Sequence, residues 1–377
     1  MTDLSKLTDM AKLRELLAKQ DSAARRVINE AEMRSALGDR VKGQDEVIDD
    51  VARIVRLQWG KTQRKRPIAN LLFLGPTGTG KTELAKAMAQ YLYGDEKNML
   101  RFAMGEFKGP EGVTRLVGST LGYVGSQQGG QLTRPVLNNP KRLILFDEIE
   151  KAHSEVFDIF LDLMGDGRLT EAGSGKTADF TQAIVILTSN AEADAIGKLK
   201  DQIDDYDEMV NAVKSHLADT KVFRPEIIGR LDRVYVFKPL LGEVIAAIAA
   251  QKMEYLAKEY DLELAYVDPG LIFEAMNRGN KLSKFGVRGL EDAINRMLAE
   301  HLLEAKDAGV KKVMLFVDDD GNFKIGCADP SPEGAEAAEV ESERGESEAS
   351  EAVEPGEAAP ETSGARRRGR RSRDSSD

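Results

Sequence analysis

Gly75-Pro76-Thr77-Gly78-Thr79-Gly80-Lys81-Thr82 fits the pattern GxxxxGK[ST] and stands between an apolar run, Leu71-Leu72-Phe73-Leu74, and a helix-forming run, Glu83 to Tyr93. That setting gives each residue type a mechanical job. Glycines let the backbone wrap a phosphate with its N–H groups pointing inward, a nest at a helix N-terminus. Lys81 is expected to reach the β- and γ-phosphates of a nucleoside triphosphate, and the Thr82 hydroxyl to ligate Mg²⁺. A merely flexible glycine-rich loop would leave Lys81-Thr82 unexplained. A second constellation is Leu143-Ile144-Leu145-Phe146-Asp147-Glu148. An apolar strand of a parallel sheet delivers its terminal acids to the carboxyl edge, where ligands bind in open α/β folds. Asp147 is expected to hold Mg²⁺ through water, and Glu148 to orient or deprotonate an attacking water. Adjacent strand residues point to opposite faces, so the two acids are expected to act separately. Third, Ile184-Val185-Ile186-Leu187-Thr188-Ser189-Asn190 ends another apolar run in an amide that can place the same water beside the γ-phosphate. Ser-Asn after a strand is also an ordinary turn, so this element carries weight only beside the other two.

Positioning these groups requires a sheet. Near-continuous apolar runs separated by helical stretches predict strands buried on both faces, hence a parallel α/β sheet with helices on both faces. The runs at 71–74, 142–146 and 183–188, with Val234-Tyr235-Val236-Phe237, are its expected strands. Beyond Pro239 the pattern turns mostly helical, over 242–260, 269–278 and 289–308, and closes in a hairpin built from 312–317 and 322–325. Upstream, Leu7, Met10, Leu13, Leu16 and Leu17 make a helical stripe within a segment expected to be helical from Leu4 to about Ala36. The expected organisation is an N-terminal helical segment (1–38), a large nucleotide-binding α/β domain (39–238), a small, mostly helical domain (239–328) and a tail (329–377).

Composition excludes several classes. The chain has 377 residues, 41% of them hydrophobic and 31% charged, with one cysteine, Cys327. No intramolecular disulfide is possible, and a reducing compartment is expected. His153, His216 and His301 are scattered, so no zinc site is expected. No apolar run approaches the roughly 20 residues that span a bilayer. The start lacks a basic stretch followed by an apolar one, so no secretory leader is expected and a cytoplasmic location is. The net charge of −11 is uneven: 329–364 holds twelve acids against Arg344, whereas 365–377 holds six arginines and two aspartates. Such a tail cannot bury enough surface to offset its ordering entropy and is expected to be disordered. The rest carries only −4, which argues against general nucleic-acid binding outside the arginine cluster at 366–373.

Taken together, the GxxxxGK[ST] loop, Asp147-Glu148-Ile149-Glu150-Lys151-Ala152-His153 and Thr188-Ser189-Asn190 resemble the AAA+ ATPases, in particular the second ATPase ring of the Clp unfoldases and disaggregases (ClpA, ClpB, ClpC). Further segments match in order. Arg40-Val41-Lys42-Gly43-Gln44 resembles the motif near the adenine, which implies a nucleotide contact for Val41. Gly122-Tyr123-Val124-Gly125 resembles the substrate-gripping pore loop, implying that Tyr123 and Val124 hold an extended polypeptide. Asp166-Gly167-Arg168-Leu169-Thr170 resembles the approach to a second pore loop. Phe223 to Asp232 resembles the arginine-finger segment with Arg230 as the finger, and Gly286-Val287-Arg288-Gly289-Leu290 resembles the lid motif whose arginine, Arg288, senses nucleotide. The resemblance covers about Asp39 to Cys327 and implies the AAA+ fold with a small helical lid, ATP and Mg²⁺ as cofactors, and a homo-hexamer. Gly229 stands where the family usually has Asn. Ile196-Gly197-Lys198 stands where protease-feeding members carry an Ile-Gly-Phe/Leu-like loop, and its charged third residue argues against a peptidase partner.

The resemblance implies an ATP-dependent protein unfoldase or remodelling chaperone, a ring that threads polypeptide clients through a central pore. The alternative is a nucleotide-switched assembly or adaptor ATPase that remodels a dedicated protein partner without threading. A nucleic-acid motor has only the arginine-rich tail in its favour.

Overall fold

Isolated apolar runs of five or six residues, each ended by a glycine or a polar residue, become buried strands because only a sheet covered on both faces removes every side chain from water. The computed structural model describes residues 12, 27–120, 122, 128–203, 205–220, 222–282, 287–317 and 323–327. The tail expected to be disordered and most of the stripe expected before residue 27 lie outside the described residues.

In chain order, α1 (Glu30–Arg40) and α2 (Asp45–Trp59) precede β1 (Ala69–Leu74) and α3 (Lys81–Tyr93). Then come β2 (Met99–Ala103), α4 (Glu111–Val117), α5 (Thr133–Asn138), β3 (Leu143–Asp147) and α6 (Val156–Asp166). A short antiparallel pair, β4 (Arg168–Thr170) and β5 (Thr177–Asp179), leads to β6 (Ile184–Ser189), α7 (Ala193–Gln202), α8 (Tyr206–Asp219), α9 (Pro225–Ile228) and β7 (Arg233–Val236). The strands order as β2-β3-β6-β1-β7, every neighbouring pair parallel. This is the parallel α/β sheet expected, flanked by helices. Side chains of β1 divide by the period of two: Leu72 and Leu74 join a core with Phe146, Phe160 and Leu187, while Leu71 and Phe73 join one with Val51, Leu84 and Ile186. Register sets Leu74 opposite Ser189 and Val236, and Phe146 opposite Leu187. The carboxyl ends of β1, β3 and β6 therefore share one edge, which gathers the three motifs.

Asn29 caps α1, its side chain accepting from the backbone N–H groups of Ala31 and Glu32. Met33 and Leu37 of that helix are fully buried in the second core. The helix thus runs through the expected boundary at 38/39, because its apolar face is needed to cover the sheet.

Beyond β7, α10 (Gly242–Glu259), β8 (Glu263–Val267), α11 (Pro269–Leu282), α12 (Arg288–Asp307), β9 (Lys312–Val317) and β10 (Phe323–Cys327) build a separate three-stranded sheet, β10-β9-β8. Their own core includes Met253, Leu271, Ile294, Leu298, Leu302 and Val313. The expected hairpin corresponds to the antiparallel pair β9–β10, and β8 adds in parallel. Strands β2 and β8 are not expected from the sequence. Each is a partly exposed five-residue run with a charged residue, Arg101 or Glu263, so neither reads as a continuous apolar strand. No helix among the described residues is long and apolar enough to cross a membrane.

Candidate active site

The loop between β1 and α3 is shaped by glycine. Gly75, Gly78 and Gly80 have φ of +139°, +81° and +98°. At Gly75 a Cβ would lie 2.7 Å from the Phe237 carbonyl oxygen, so the loop leaves the sheet pressed against the end of β7. Substituting Gly75→Ala adds both that clash and a backbone conformation that side chains rarely adopt. About 1–3 kcal/mol of stability is expected to be lost, together with nucleotide affinity; thermal unfolding and fluorescent-nucleotide titration read the two effects. Within the loop, the Thr79 hydroxyl donates to the Pro76 carbonyl at 2.9 Å, while Thr77 is half-buried. Thr82 sits in the first turn of α3.

The residues of the Arg40–Gln44 segment support this loop from outside. Val41 is buried and packs against Gly80, where a Cβ would meet its Cγ1 at 3.2 Å. The buried Gln44 amide donates to the carbonyls of Thr79 (3.3 Å) and Lys238 (2.9 Å), and its oxygen accepts from the Lys238 N–H (3.0 Å). One side chain thus ties the phosphate loop to the chain leaving β7.

Lys81 is 7% exposed. Its ammonium donates to the carbonyls of Gly75 (2.6 Å) and Pro76 (2.7 Å) and to Asn190 Oδ1 (2.8 Å). The other end of the Asn190 amide donates to Glu148 Oε1 at 3.2 Å. Glu148 Oε2 accepts from Lys151 at 2.7 Å, and this hydrogen bond raises the lysine above its ordinary value. One carboxylate is therefore held by an amide on one oxygen and an ammonium on the other. A group so oriented, at the edge that bears a phosphate loop, can align and deprotonate a water.

Glu148 is separated from Asp147 by a turn rather than by strand alternation, which corrects that part of the expectation. β3 ends at Asp147, and Glu148 adopts left-handed backbone, φ +57°, before a single 3₁₀ turn, Ile149–Lys151. Such a conformation costs a non-glycine residue of order 1–3 kcal/mol and persists where surrounding contacts fix it. The contact is Thr188: its hydroxyl accepts from the Glu148 N–H at 3.1 Å and donates to Asp147 Oδ1. Asp147 Oδ2 accepts from Arg101 at 2.6 Å. The two acids do face different partners.

Arg230 is not at this edge. It follows α9, and its carbonyl accepts from the side chain of Asn70 near the start of β1 (3.2 Å), while its guanidinium lies against Gly165. β1 rises about 16 Å between Asn70 and Gly75, so Arg230 sits at the opposite end of the sheet from the phosphate loop of its own chain. Arg288 opens α12, and its side chain lies outside the described residues, as do Tyr123 and Val124.

Sequence reasoning leaves out Thr188 as a bridge between the acids, Arg101 as the partner of Asp147, and Lys151 as the partner of Glu148. Thr188 has a signal: it is the first polar residue after the apolar run Ile184-Val185-Ile186-Leu187 of β6. Arg101 has none, because its strand is not legible.

Residues 66–234 match the family described as AAA domain (Cdc48 subfamily). The chain is 39% identical over 309 residues to the negative regulator of genetic competence ClpC/MecB of Bacillus subtilis (strain 168), a match covering 78% of this chain and 37% of that protein. It is 42% identical over 299 residues to the chaperone protein ClpB of Corynebacterium efficiens, covering 77% and 33%. To the chloroplastic ClpA homolog CD4B of Solanum lycopersicum, an ATP-dependent Clp protease ATP-binding subunit, it is 37% identical over 326 residues, covering 80% and 35%. The chain thus spans about a third of the length of these relatives. With a glycine-shaped phosphate loop, a lysine linked through an amide to a strand-end glutamate, and these matches, the chain belongs to the Clp-type AAA+ ATPases.

Proposed function

We propose that this protein is an ATP-driven remodeller of other proteins, assembled as a homo-hexameric ring that pulls polypeptide through a central pore. The observation that carries the proposal is the separation of one catalytic set to two ends of one sheet. Lys81, Asp147, Glu148 and Asn190 stand at the carboxyl edge. Arg230 stands beside Asn70 at the other end and has no ion pair or side-chain hydrogen bond among the described residues. A γ-phosphate that gathers charge in a loose transition state is stabilised by an arginine from a neighbour. Two copies set edge to edge supply that arginine; a single copy does not. The relatives named as chaperones and as a protease ATP-binding subunit support the remodelling sense of the reading.

In this reading Lys81 binds the β- and γ-phosphates, Glu148 takes a proton from the attacking water, and Asn190 keeps Lys81 and Glu148 in mutual register. The Thr82 hydroxyl and the Asp147 carboxylate are hard oxygen donors suited to Mg²⁺. An ion held there would keep several of its waters and bind through one or two protein oxygens and substrate phosphate. Mg²⁺ would neutralise phosphate charge there. Residues 239–328, with their own core, would act as the lid, with Arg288 linking nucleotide state to lid angle. Ile196 is buried within α7, and the charged Lys198 is the ground on which a peptidase partner is disfavoured in this reading.

The pulling step is tested by Tyr123→Ala. Unfolding of a tagged fluorescent substrate is expected to be lost while basal ATP hydrolysis stays within about twofold of the parent. Remodelling that survives the change would favour the nucleotide-switch alternative.

A further inference from the structure

Asn70 is the one polar side chain in β1, Ala-Asn-Leu-Leu-Phe-Leu, and it is fully buried. Burying an amide costs free energy unless it is hydrogen-bonded. Its Nδ2 has two acceptors: the Arg230 carbonyl at 3.2 Å and the Met164 carbonyl at 3.0 Å. Its Oδ1 has none among the described residues. The amide is therefore kept for its donor end. Its main chain adds two more ties to the same turn: the Asn70 carbonyl accepts from the Asp232 N–H (2.8 Å), and its N–H donates to Asp232 Oδ2 (2.8 Å). Asp232 Oδ1 is in turn held by Arg66 at 2.6 Å.

The second acceptor matters as much as the first. Met164 precedes Gly165, the residue against which the Arg230 guanidinium rests; a Cβ at Gly165 would fall 1.4 Å from Arg230 Nη1. The Met164 carbonyl belongs to the last turn of α6, where helix carbonyls lack intrahelical partners. One amide thus fixes both the backbone that carries the arginine and the helix end on which the arginine lies.

We propose that Asn70 is the positioning residue for Arg230, with Gly165 as the seat of the guanidinium. The strand that carries this chain's phosphate loop at one end would then aim, from its other end, the arginine that completes a neighbouring copy's site. The proposal rests on the reading of Arg230 given above. A capping role for Asn70 alone would change stability but would not act across a subunit boundary.

The test is complementation between subunits. Asn70→Leu removes the donor while keeping a side chain branched at Cγ, and Asn70→Asp removes the amide at nearly constant volume. Misplacing a catalytic group by about 1 Å can cost 10²-fold, so either variant is expected to lower kcat for ATP about 10–100-fold, with KM within about twofold. Each is then mixed with Glu148→Gln, and so is Arg230→Ala. In a mixed assembly the intact Arg230 of a Glu148→Gln subunit meets the intact Glu148 of the other subunit, so hydrolysis is expected to exceed that of either variant alone. Rescue of Arg230→Ala without rescue of the Asn70 variants overturns this proposal and leaves the Arg230 reading standing. No rescue of Arg230→Ala overturns both. Unchanged hydrolysis in both Asn70 variants also overturns the proposal. If neither Asn70 variant folds, Gly165→Ala decides in the same mixture. It meets only the far end of a flexible side chain and favours helix, so the melting temperature should hold while kcat falls and is rescued in trans. Full activity of Gly165→Ala, or loss without rescue, sinks the idea.

Discussion

Glu148→Gln is expected to cut turnover steeply while leaving ATP bound. The substitution keeps the size of the side chain and an oxygen facing the Asn190 amide, from which Glu148 Oε1 now accepts at 3.2 Å, and removes only the basicity. A positioned base contributes about 10²–10⁴-fold, so steady-state hydrolysis should fall by that factor. Nucleotide affinity should stay within about tenfold, because Lys81 and the glycine loop are untouched. Single-turnover kinetics and equilibrium titration separate the two. A variant that hydrolyses normally would remove Glu148 from the chemistry. One that fails to bind would make its contacts with Asn190 and Lys151 structural.

Arg230→Ala should have a still larger effect. An arginine supplied to a phosphoryl transition state from a neighbour is worth about 10³–10⁵ in kcat. Truncation should leave the fold intact, since the side chain is half-buried and rests on Gly165 rather than in a core. The expected result is a variant with the parent's melting temperature and ATP affinity but hydrolysis near background. Equal loss of kcat and kcat/KM is the mark of an interaction made only in the transition state, and it is the signature to look for here.

The parts of the site written in contiguous residues were legible. The glycines, Lys81 and Thr82 share one loop, and the run ending in Asp147-Glu148 names its own strand and edge. What could not be read is what tertiary contact imposes. Glu148 leaves β3 in left-handed backbone because the Thr188 hydroxyl, a strand away, takes its N–H. No local pattern predicts that conformation for a glutamate. β2 escaped for a related reason. As an edge strand it tolerates Arg101, whose partner is Asp147 on the next strand, and the charge breaks the apolar signal. Asn70, Gly165 and Arg230 meet from three distant segments, so each alone reads as an unremarkable strand, helix or turn residue. The motif order singles out Arg230 as a candidate; only the fold puts it at the end of β1 away from Lys81.

The central claim is that one copy does not hold a complete hydrolytic site. It is tested most directly by measuring ATP turnover per subunit over a dilution series that runs from assembled protein to monomer, with sedimentation at each concentration. Turnover per subunit should collapse as the assembly dissociates, and Arg230→Ala should lie near background at every concentration. A monomer that hydrolyses ATP at the assembled rate, with Arg230 dispensable, would contradict the account.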